Sequence, residues 1–348
     1  MRRALARWRA RGRRLGKQWA VVREEWQVER EVERVVAGDG PIIAGPWLSE
    51  VGYEALYWVP FLRWLCAAYR IAPARLIAMS RGGTASWYAD IASRYVEVFD
   101  HASPADLARR AAEGHLKQRD ISEFDRRLIA DAAGAAGWRD VRVLHPSMMF
   151  RWFAPFWSGH EGVGYVDRHT RFARMTVPEV AIPVQLPDQY VAVKFYAARA
   201  LPDDASNRAQ VQALVGALAE RWPIVQLDTG FAVDEHADYQ LGSSARVISL
   251  AGRLDPRTNL AVQTRIIAGA RLFVGTCGSL AWLAPLLGVA TIPVFTDAEF
   301  LHAHLHVARR AYGRVGDTRF SPLDISGVAD AGLAIAGAGG LPAGSRVS

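Results

Sequence analysis

Residues 271–295 form a stretch of apolar and small residues that organises the second half of the chain. Leu272–Gly275 and Val289–Phe295 are rich in strand-forming residues, and the helical segment Leu280–Leu287 lies between them. This order predicts a βαβ unit, because parallel strands need a crossover connection. A membrane-spanning helix is the alternative, since Arg271 is the stretch's one charged residue. Glycines and prolines interrupt the stretch where a βαβ unit needs turns, and they favour the buried unit.

Apolar runs alternate with amphipathic segments over most of the remaining chain. In the first half the pattern predicts strands at Ile42–Gly45, Arg75–Ser80, Arg94–Phe99 and Val141–Leu144, and helices at Glu50–Ala68 (kinked by Pro60), 103–118 and 121–136. In the second half it predicts strands at Val191–Tyr196, Ile224–Leu227 and Arg246–Leu250, and helices at Ser206–Arg221, Asn259–Ala270 and Glu299–Ala311. This alternation is typical of doubly wound α/β folds, in which ligands bind at the carboxyl ends of the strands.

The pattern also predicts how the chain divides. Periodicity is lost over residues 148–187, where aromatic residues and prolines predict a short aromatic helix followed by a linker. We predict a basic amphipathic helix at residues 1–38, a Rossmann-like domain with its linker at 39–187, a second Rossmann-like domain at 188–325, and a flexible tail at 326–348.

The basic character of the chain is concentrated at its start. Residues 1–17 contain eight Lys and Arg residues and no acid, and removing these charges from the formal net charge of +7 leaves −1 for the rest. The main body therefore gives no reason to predict nucleic-acid binding. A single apolar stripe runs along the same helix, at Leu5, Trp8, Gly12, Leu15, Trp19, Val22 and Trp26.

A basic helix with tryptophans on its other face suits the surface of an anionic membrane. Docking on the protein's own body or on a second copy is an equal alternative, and RNA is the least favoured partner. The two cysteines, Cys66 and Cys277, lie far apart and form no metal or disulfide spacing, which fits a reducing cytosol. No apolar segment follows the arginines, so we predict no secretory signal and a cytoplasmic protein, peripheral on the inner face of the membrane.

Several nucleotide and hydrolase motifs are absent from the sequence. No G-x-G-x-x-G motif follows a predicted strand, which argues against a dinucleotide oxidoreductase. The phosphate-binding motif G-x-x-x-x-G-K-[ST] and the nucleophile motif G-x-S-x-G are also missing, which argues against a P-loop enzyme and an α/β-hydrolase.

Two segments carry a family resemblance. Residues 274–284, VGTCGSLAWLA, followed by Leu287-Gly288-Val289 and Pro293, resemble the donor-site segment of heptosyltransferase-like GT-B glycosyltransferases. The motif Gly45-Pro46-Trp47-x-x-Glu50-x-Gly52-x-Glu54 is similar to one in bacterial surface-polysaccharide glycosyltransferases of the same fold. Cys277 departs from the pattern, because an acid or asparagine is commoner there.

The resemblance implies two Rossmann-like domains that face a cleft, the first for the acceptor and the second for a nucleotide-sugar donor. The expected activity is sugar transfer to a glycan or glycolipid in bacterial surface-polysaccharide synthesis, with inversion and without a metal or other cofactor. The turn of Gly275, Thr276, Gly278 and Ser279 would hold the donor diphosphate, because it offers N–H groups at a helix start. Gly45 and Trp47, in the matching motif of the first domain, are likewise predicted to bind substrate or donor.

Sugar transfer with inversion needs a base and a positive environment for the leaving diphosphate. Glu50 is the predicted base and Glu54, one turn later, its orienting partner; the alternative is a helix-start acid that complements the dipole. Arg81 is predicted to bind an acidic acceptor or phosphate; the alternative is that it belongs to a solvated turn without a ligand. Lys194 and Arg199 are predicted to bind the diphosphate; the alternative is that they form ordinary ion pairs within the protein. Asp228, followed by Thr229, is a weaker candidate for the ribose or base.

A histidine cluster invites a metal interpretation that the spacing does not support. His302 and His306 share a helix face, His304 lies off it, and no carboxylate completes a site in that run. We therefore predict no metal. Two other functions stay open: another group transfer or an epimerase on the same architecture, and a catalytically silent binding subunit that docks a partner enzyme through its N-terminal helix.

Overall fold

Two parallel β-sheets form the framework of the chain. The computed structural model describes residues 25–230, 237–239, 241, 245–316 and 319–327. The first sheet has the order β3-β2-β1-β4 and the second β10-β9-β8-β5-β6-β7, with every pair parallel. The strands are β1 Ile42–Ala44, β2 Leu76–Ser80, β3 Arg94–Glu97, β4 Arg142–Leu144, β5 Val191–Lys194, β6 Ile224–Gln226, β7 Val247–Ser249, β8 Leu272–Thr276, β9 Thr291–Phe295 and β10 Leu323–Asp324. This topology confirms the predicted α/β class with two Rossmann-like halves.

Helices connect the strands. Residues 25–36 form α1. α2 begins as Val51–Tyr53, widens to a π-helix at Glu54–Trp58 and continues as Val59–Ala68. The others are α3 Pro104–Arg110, α4 Glu123–Ala135, α5 Pro146–Trp152, α6 Ala154–Trp157, α7 Val163–Arg168, α8 Ala205–Arg221, α9 Asn259–Gly269, α10 Ser279–Leu283 and α11 Ala298–Arg314. Short 3₁₀ or π turns lie at Pro73–Arg75, Thr84–Tyr88, Val98–Asp100, Ala111–His115 and Ala284–Leu287.

The βαβ prediction for residues 271–295 is confirmed. β8 and β9 pair in parallel and α10 with its 3₁₀ extension connects them. Apart from Arg271 and the turns before and after the connecting helix, most of this unit is buried. This burial explains why the unit contains almost no charged residue. No helix in the described part of the chain is long and apolar enough to cross a membrane. The predicted domain limits at residues 38, 187 and 325 stay predictions.

The irregularity of α2 differs from the predicted kink at Pro60. The helix instead forms a π turn before the proline, in which Val59 N donates to Glu54 O. Proline has no N–H to offer the preceding turn, and it stands near the start of the last, regular α-helical segment, where that donor is not needed. The π turn also places Glu54 in the core.

The described end of the N-terminal helix docks on the first half. Val28 and Val32 are buried in the main core, and Glu31 forms an ion pair of 2.5 Å with Arg151. Trp26, the last residue of the predicted stripe, is 62% exposed and lies beside the Arg30 guanidinium. For residues 25–36, the structure therefore shows docking on the protein's own body. The apolar stripe residues before residue 25 lie outside the described residues.

The two halves touch through the carboxyl ends of both sheets. After β2, Gly82 O accepts a hydrogen bond of 2.9 Å from Ala261 N. Trp87 is fully buried and its indole N–H donates to Thr264 Oγ1 at 3.2 Å. Buried side chains of both halves belong to one continuous hydrophobic core, so the halves are held together by apolar packing as well as by hydrogen bonds.

We predict that Gly275→Ala destabilises the protein. Gly275 pairs with Lys194 in the centre of the second sheet, and a β-carbon at this position would overlap the Lys194 carbonyl oxygen. Relieving that overlap requires the β5–β8 pair to separate locally, and we expect the free energy of unfolding to fall by about 1–3 kcal/mol. Urea unfolding followed by tryptophan fluorescence measures the change.

Gly216→Ala is the matched control for this substitution. Gly216 lies in α8 of the same half, and a β-carbon there would meet no atom within 4 Å. Alanine should leave stability unchanged or raise it, because glycine is a poor helix former. Equal stability of Gly275→Ala and the natural protein would contradict the packing argument.

Candidate functional site

The order of the second sheet reverses between β5 and β8, and the predicted phosphate turn follows β8. Buried Thr276 Oγ1 donates to Tyr196 O at 2.9 Å and accepts from Tyr196 N at 3.0 Å. Gly278 has φ +145°, and a β-carbon there would lie 2.5 Å from the Tyr196 hydroxyl. Gly278 and Ser279 are partly exposed. The turn is thus fixed from behind by Tyr196, at the switch point where ligands of doubly wound sheets bind.

The corresponding switch point of the first sheet lies between β1 and β4. Gly45 follows β1 with φ +136°, and a β-carbon on it would strike the Met79 backbone. Trp47 is fully buried, with ring centroids 5.7 Å from Trp58 and 6.2 Å from Phe150. The Trp47 ring is therefore a core residue that supports this turn.

Gly52 brings the two switch points together. A β-carbon on Gly52 would lie 2.6 Å from Trp282 Cδ1 and 2.7 Å from Ser279 N. The start of α2 therefore packs directly on the start of α10. Glu50 is the residue before α2, with extended backbone angles and a half-buried side chain. The predicted base and the predicted phosphate turn, which are more than 200 residues apart in sequence, thus lie at one place.

Glu54 is completely buried beneath this contact. Its Oε1 accepts hydrogen bonds from Ser80 Oγ at 2.6 Å and from the Tyr88 hydroxyl at 2.5 Å. Desolvation raises the pKa of this carboxyl from 4.5 to about 7, although both hydrogen bonds and the positive charge of Arg81 act in the opposite direction. Arg81 is itself 2% exposed and donates to Ser49 O at 2.7 Å. Arg81 thus supports the turn that carries Glu50, Glu54 bonds Ser80 and Tyr88, and neither side chain lies on the surface.

The predicted donor residues beyond the turn already have protein partners. Lys194 Nζ lies 2.7 Å from Asp238 Oδ1, with both side chains largely buried. Asp228 accepts from Ser249 Oγ and from the N–H groups of Leu250 and Ala251, so it fixes the loop after β7.

Arg199 is more exposed. Its side chain forms an ion pair of 3.2 Å with Asp297 and lies 4.5 Å from the Phe300 ring. Lys194 is the one of these three at the end of a switch-point strand, next to Gly275. The roles of all three in binding a donor stay predictions.

The structure adds residues that the sequence did not single out as a site. His304 of α11 is hydrogen-bonded through both ring nitrogens: its Nδ1 lies 2.7 Å from the Tyr57 hydroxyl and its Nε2 lies 3.3 Å from the Tyr53 hydroxyl. Burial lowers the pKa of His304 to about 4, so the ring is neutral at pH 7. The exposed His302 and His306 rings have centroids 4.4 Å apart and are tilted by 37°. Among the described residues, no three His, Cys, Asp or Glu side chains are grouped as metal ligands.

A pocket of about 510 Å³ opens beside Tyr53. Glu50 and Arg119 lie close enough to Tyr53 to influence the pKa of its hydroxyl, which burial and the Glu50 charge raise. The pocket is therefore a neighbour of the candidate base. Its lining consists of Tyr53, Lys117, Arg119, Asp120, Phe150, Arg151, Ala154, Trp157 and Ser158. The sequence did not mark Lys117 and Arg119 as candidate binding residues, because charged residues at helix ends are common on protein surfaces.

The chain is similar to several solved glycosyltransferases. It shares 14% identity with the ADP-heptose LPS heptosyltransferase II of E. coli, over 76% of this chain and 88% of that one, with a TM-score of 0.42. It shares 14% identity with E. coli heptosyltransferase WaaC, over 86% and 99%, with a TM-score of 0.38. The iron-containing dodecameric glycosyltransferase TibC of enterotoxigenic E. coli H10407 is 11% identical over 74% of this chain, with a TM-score of 0.39.

The heptosyltransferases that the sequence resembles are thus among the similar solved structures. The chain spans only 58% of TibC. No protein-family model and no curated protein matches the sequence. Likenesses of this size assign no activity, and the case for function rests on the geometry of the site.

We predict that Glu54 makes the protein less stable as the pH rises. Between its unfolded pKa near 4.5 and its folded pKa of about 7, the folded protein holds a proton that the unfolded chain has released. Stability attributable to this group is therefore full below pH 4.5 and is lost as the pH rises to 7, by roughly 3 kcal/mol in total. Glu54→Gln should remove this loss.

The measurement is urea unfolding of the natural protein and of Glu54→Gln at several pH values from about 5 to 8. Glutamine keeps an oxygen that can accept from Ser80 and Tyr88, so the comparison isolates the ionisation. The difference in free energy of unfolding should move in favour of the variant as the pH rises. Parallel pH profiles for both proteins would show that the carboxyl ionises normally.

Proposed function

We propose that the protein is a glycosyltransferase that moves a sugar from a nucleotide diphosphate to an acceptor hydroxyl. One observation carries the proposal: the Gly52 contact joins the switch points of two parallel sheets, with Glu50 on one side and the Gly278–Ser279 turn on the other. A transfer reaction between two substrates needs two binding sites that meet at one reacting centre, and this arrangement supplies them.

On the donor side, the reaction releases a nucleotide diphosphate. Gly278 and Ser279 are partly exposed, and their place at a helix start suits negative charge, because a helix start carries unpaired donors and a partial positive charge. Lys194 adds a full positive charge at the end of β5, and a bound diphosphate would take the place of Asp238 as its partner. Preformed donors of this kind stabilise charge as it develops on the leaving group.

On the acceptor side, Glu50 is the proposed general base. Its carboxylate takes the proton of the acceptor hydroxyl while that oxygen bonds to the anomeric carbon, and the bond from that carbon to the diphosphate oxygen breaks. This single displacement inverts the anomeric configuration. Glu54, buried one helical turn later with its pKa raised to about 7, is the proposed orienting residue of this base. We propose that the chemistry requires no metal and no further cofactor.

The proposed biological setting is the synthesis of bacterial surface polysaccharide on the cytoplasmic face of the membrane. The sequence motif at Gly45–Glu54 and the basic, tryptophan-rich start of the chain support it. Residues 1–24 would rest on anionic lipid, while residues 25–36 attach this segment to the body through Val28 and Val32.

We predict that Glu50→Gln abolishes turnover and leaves nucleotide binding intact. The amide keeps the shape of the side chain and cannot accept the hydroxyl proton, so a loss of about 10²–10⁴-fold in kcat is expected. Glu123→Gln is the control, because Glu123 is an exposed acid in the first turn of α4 and tests the helix-dipole role alone. Acceptor-dependent release of nucleotide diphosphate measures turnover, and thermal shift measures binding.

The thermal-shift panel comprises UDP, GDP, ADP, CMP and their sugar conjugates, because a ligand of the folded state raises the melting temperature. One nucleotide diphosphate standing above the others would support the donor site and identify its base. A folded protein that responds to none of them would contradict the proposal and favour a silent binding subunit. Turnover without release of free nucleotide would favour an epimerase.

We predict that removal of residues 1–24 abolishes binding to anionic liposomes and preserves activity on a soluble acceptor. The truncation stops before residue 25 because Val28 and Val32 are part of the core. Liposome flotation at low and high salt measures binding, which should be salt-sensitive. A truncated protein that still floats with anionic liposomes would contradict the membrane role of this segment.

A further inference from the structure

The pocket beside Tyr53 is not used by the donor chemistry. Its volume of about 510 Å³ lies within the roughly 300–1,000 Å³ of typical ligand sites. Its lining comes from the first half of the chain, from α2, the segment after α3, and α5 with α6. It neighbours Glu50 because Tyr53, which lines it, donates its backbone N–H to Glu50 O at 3.2 Å, so a group bound there would lie close to the proposed reacting centre.

The charge of the lining is mostly positive. Lys117, Arg119 and Arg151 contribute three cations and Asp120 one acid. Arg151 is already paired with Glu31 at 2.5 Å. Within the described residues, neither Lys117 nor Arg119 has an acidic partner within 4.0 Å. Two adjacent cations without acidic partners at a pocket wall favour a ligand that carries negative charge.

These two cations are held in place by the residue between them. Gln118 is 1% exposed; its Nε2 donates to Pro46 O at 2.8 Å, and its Oε1 accepts from Leu48 N at 2.8 Å. Both partners belong to the turn between β1 and Glu50. A buried glutamine with both ends hydrogen-bonded fixes the backbone of its neighbours, so Lys117 and Arg119 flank the reacting centre on a preorganised segment.

Three of the residues that line the pocket are aromatic: Tyr53, Phe150 and Trp157. The Tyr53 and Trp157 rings lie 5.9 Å apart, and Tyr53 and Phe150 6.1 Å apart. Lys117 Nζ lies 5.8 Å from the Tyr53 ring centroid. The C–H face of a sugar ring packs well on such rings, while cations at the rim bind an acidic substituent. The lining therefore combines the two contacts that an acidic sugar needs.

We propose that this pocket binds a sugar unit of the acceptor that carries a carboxylate or a phosphate. The inference rests on the proposed function, since it assigns the acceptor subsite of that same site. Lys117 and Arg119 bind the acidic group, and Tyr53 and Trp157 contact the ring. The two sources of negative charge share this chemistry, and the test separates them.

The test measures binding of glucose 6-phosphate, glucuronate and glucose to the full chain by ligand-observed NMR. Glucose should bind at least about tenfold more weakly than one of the two acidic sugars, and the double variant K117E/R119E should lose that preference. The variant R127E/R139E, with the same charge change at exposed positions outside the pocket, should keep it. Whichever acidic sugar binds more tightly identifies the acidic group.

Two results would overturn the inference: equal binding of glucose and both acidic sugars, or unchanged acidic-sugar binding by K117E/R119E. Thermal shift with nucleotide diphosphates is recorded on the same samples. A nucleotide response without preference for acidic sugars defeats the pocket assignment and leaves the donor site standing. A preference for acidic sugars without any nucleotide response supports the pocket and contradicts the transferase.

Discussion

The contact between Gly52 and the Gly278–Ser279 turn sets the distance between the two halves of the molecule. The position of any added β-carbon is already occupied by Trp282 and by the Ser279 backbone. Close approach of two helix starts requires a residue without a side chain at one of them. Because both helix starts follow switch-point strands, this one contact places the turn after β1 and the turn after β8 at the same point.

The buried polar residues below that contact explain the different characters of two neighbouring acids. Glu54 lies in the core, where burial disfavours its charge and Ser80 and Tyr88 satisfy one oxygen. Glu50, four residues earlier, stays partly exposed at the helix start. The π turn of α2 begins at Glu54 and so contributes to this separation. The start of α2 thus carries one buried acid and, just before the helix, one partly exposed acid.

Local pattern was enough to predict nine of the ten described strands, all except β10, and most helices, since buried parallel strands are short apolar runs bounded by glycine, proline or charge. It also predicted the βαβ unit at residues 271–295, where each break coincides with a turn. Long-range pairing could not be predicted. Gln118 bonds the turn 70 residues earlier, and His304 meets Tyr53 across 251 positions. The burial of Trp47 likewise depends on rings from α2 and α5.

The way Gln118 is anchored has a consequence for how specificity can diverge. The buried amide of Gln118 anchors this segment to the turn after β1. Lys117 and Arg119 on either side are exposed and contribute little to folding. Substitutions at these two positions should therefore change the charge of the pocket at almost no cost in stability. The charge of this pocket can thus diverge, by selection or by design, without prior stabilisation of the fold.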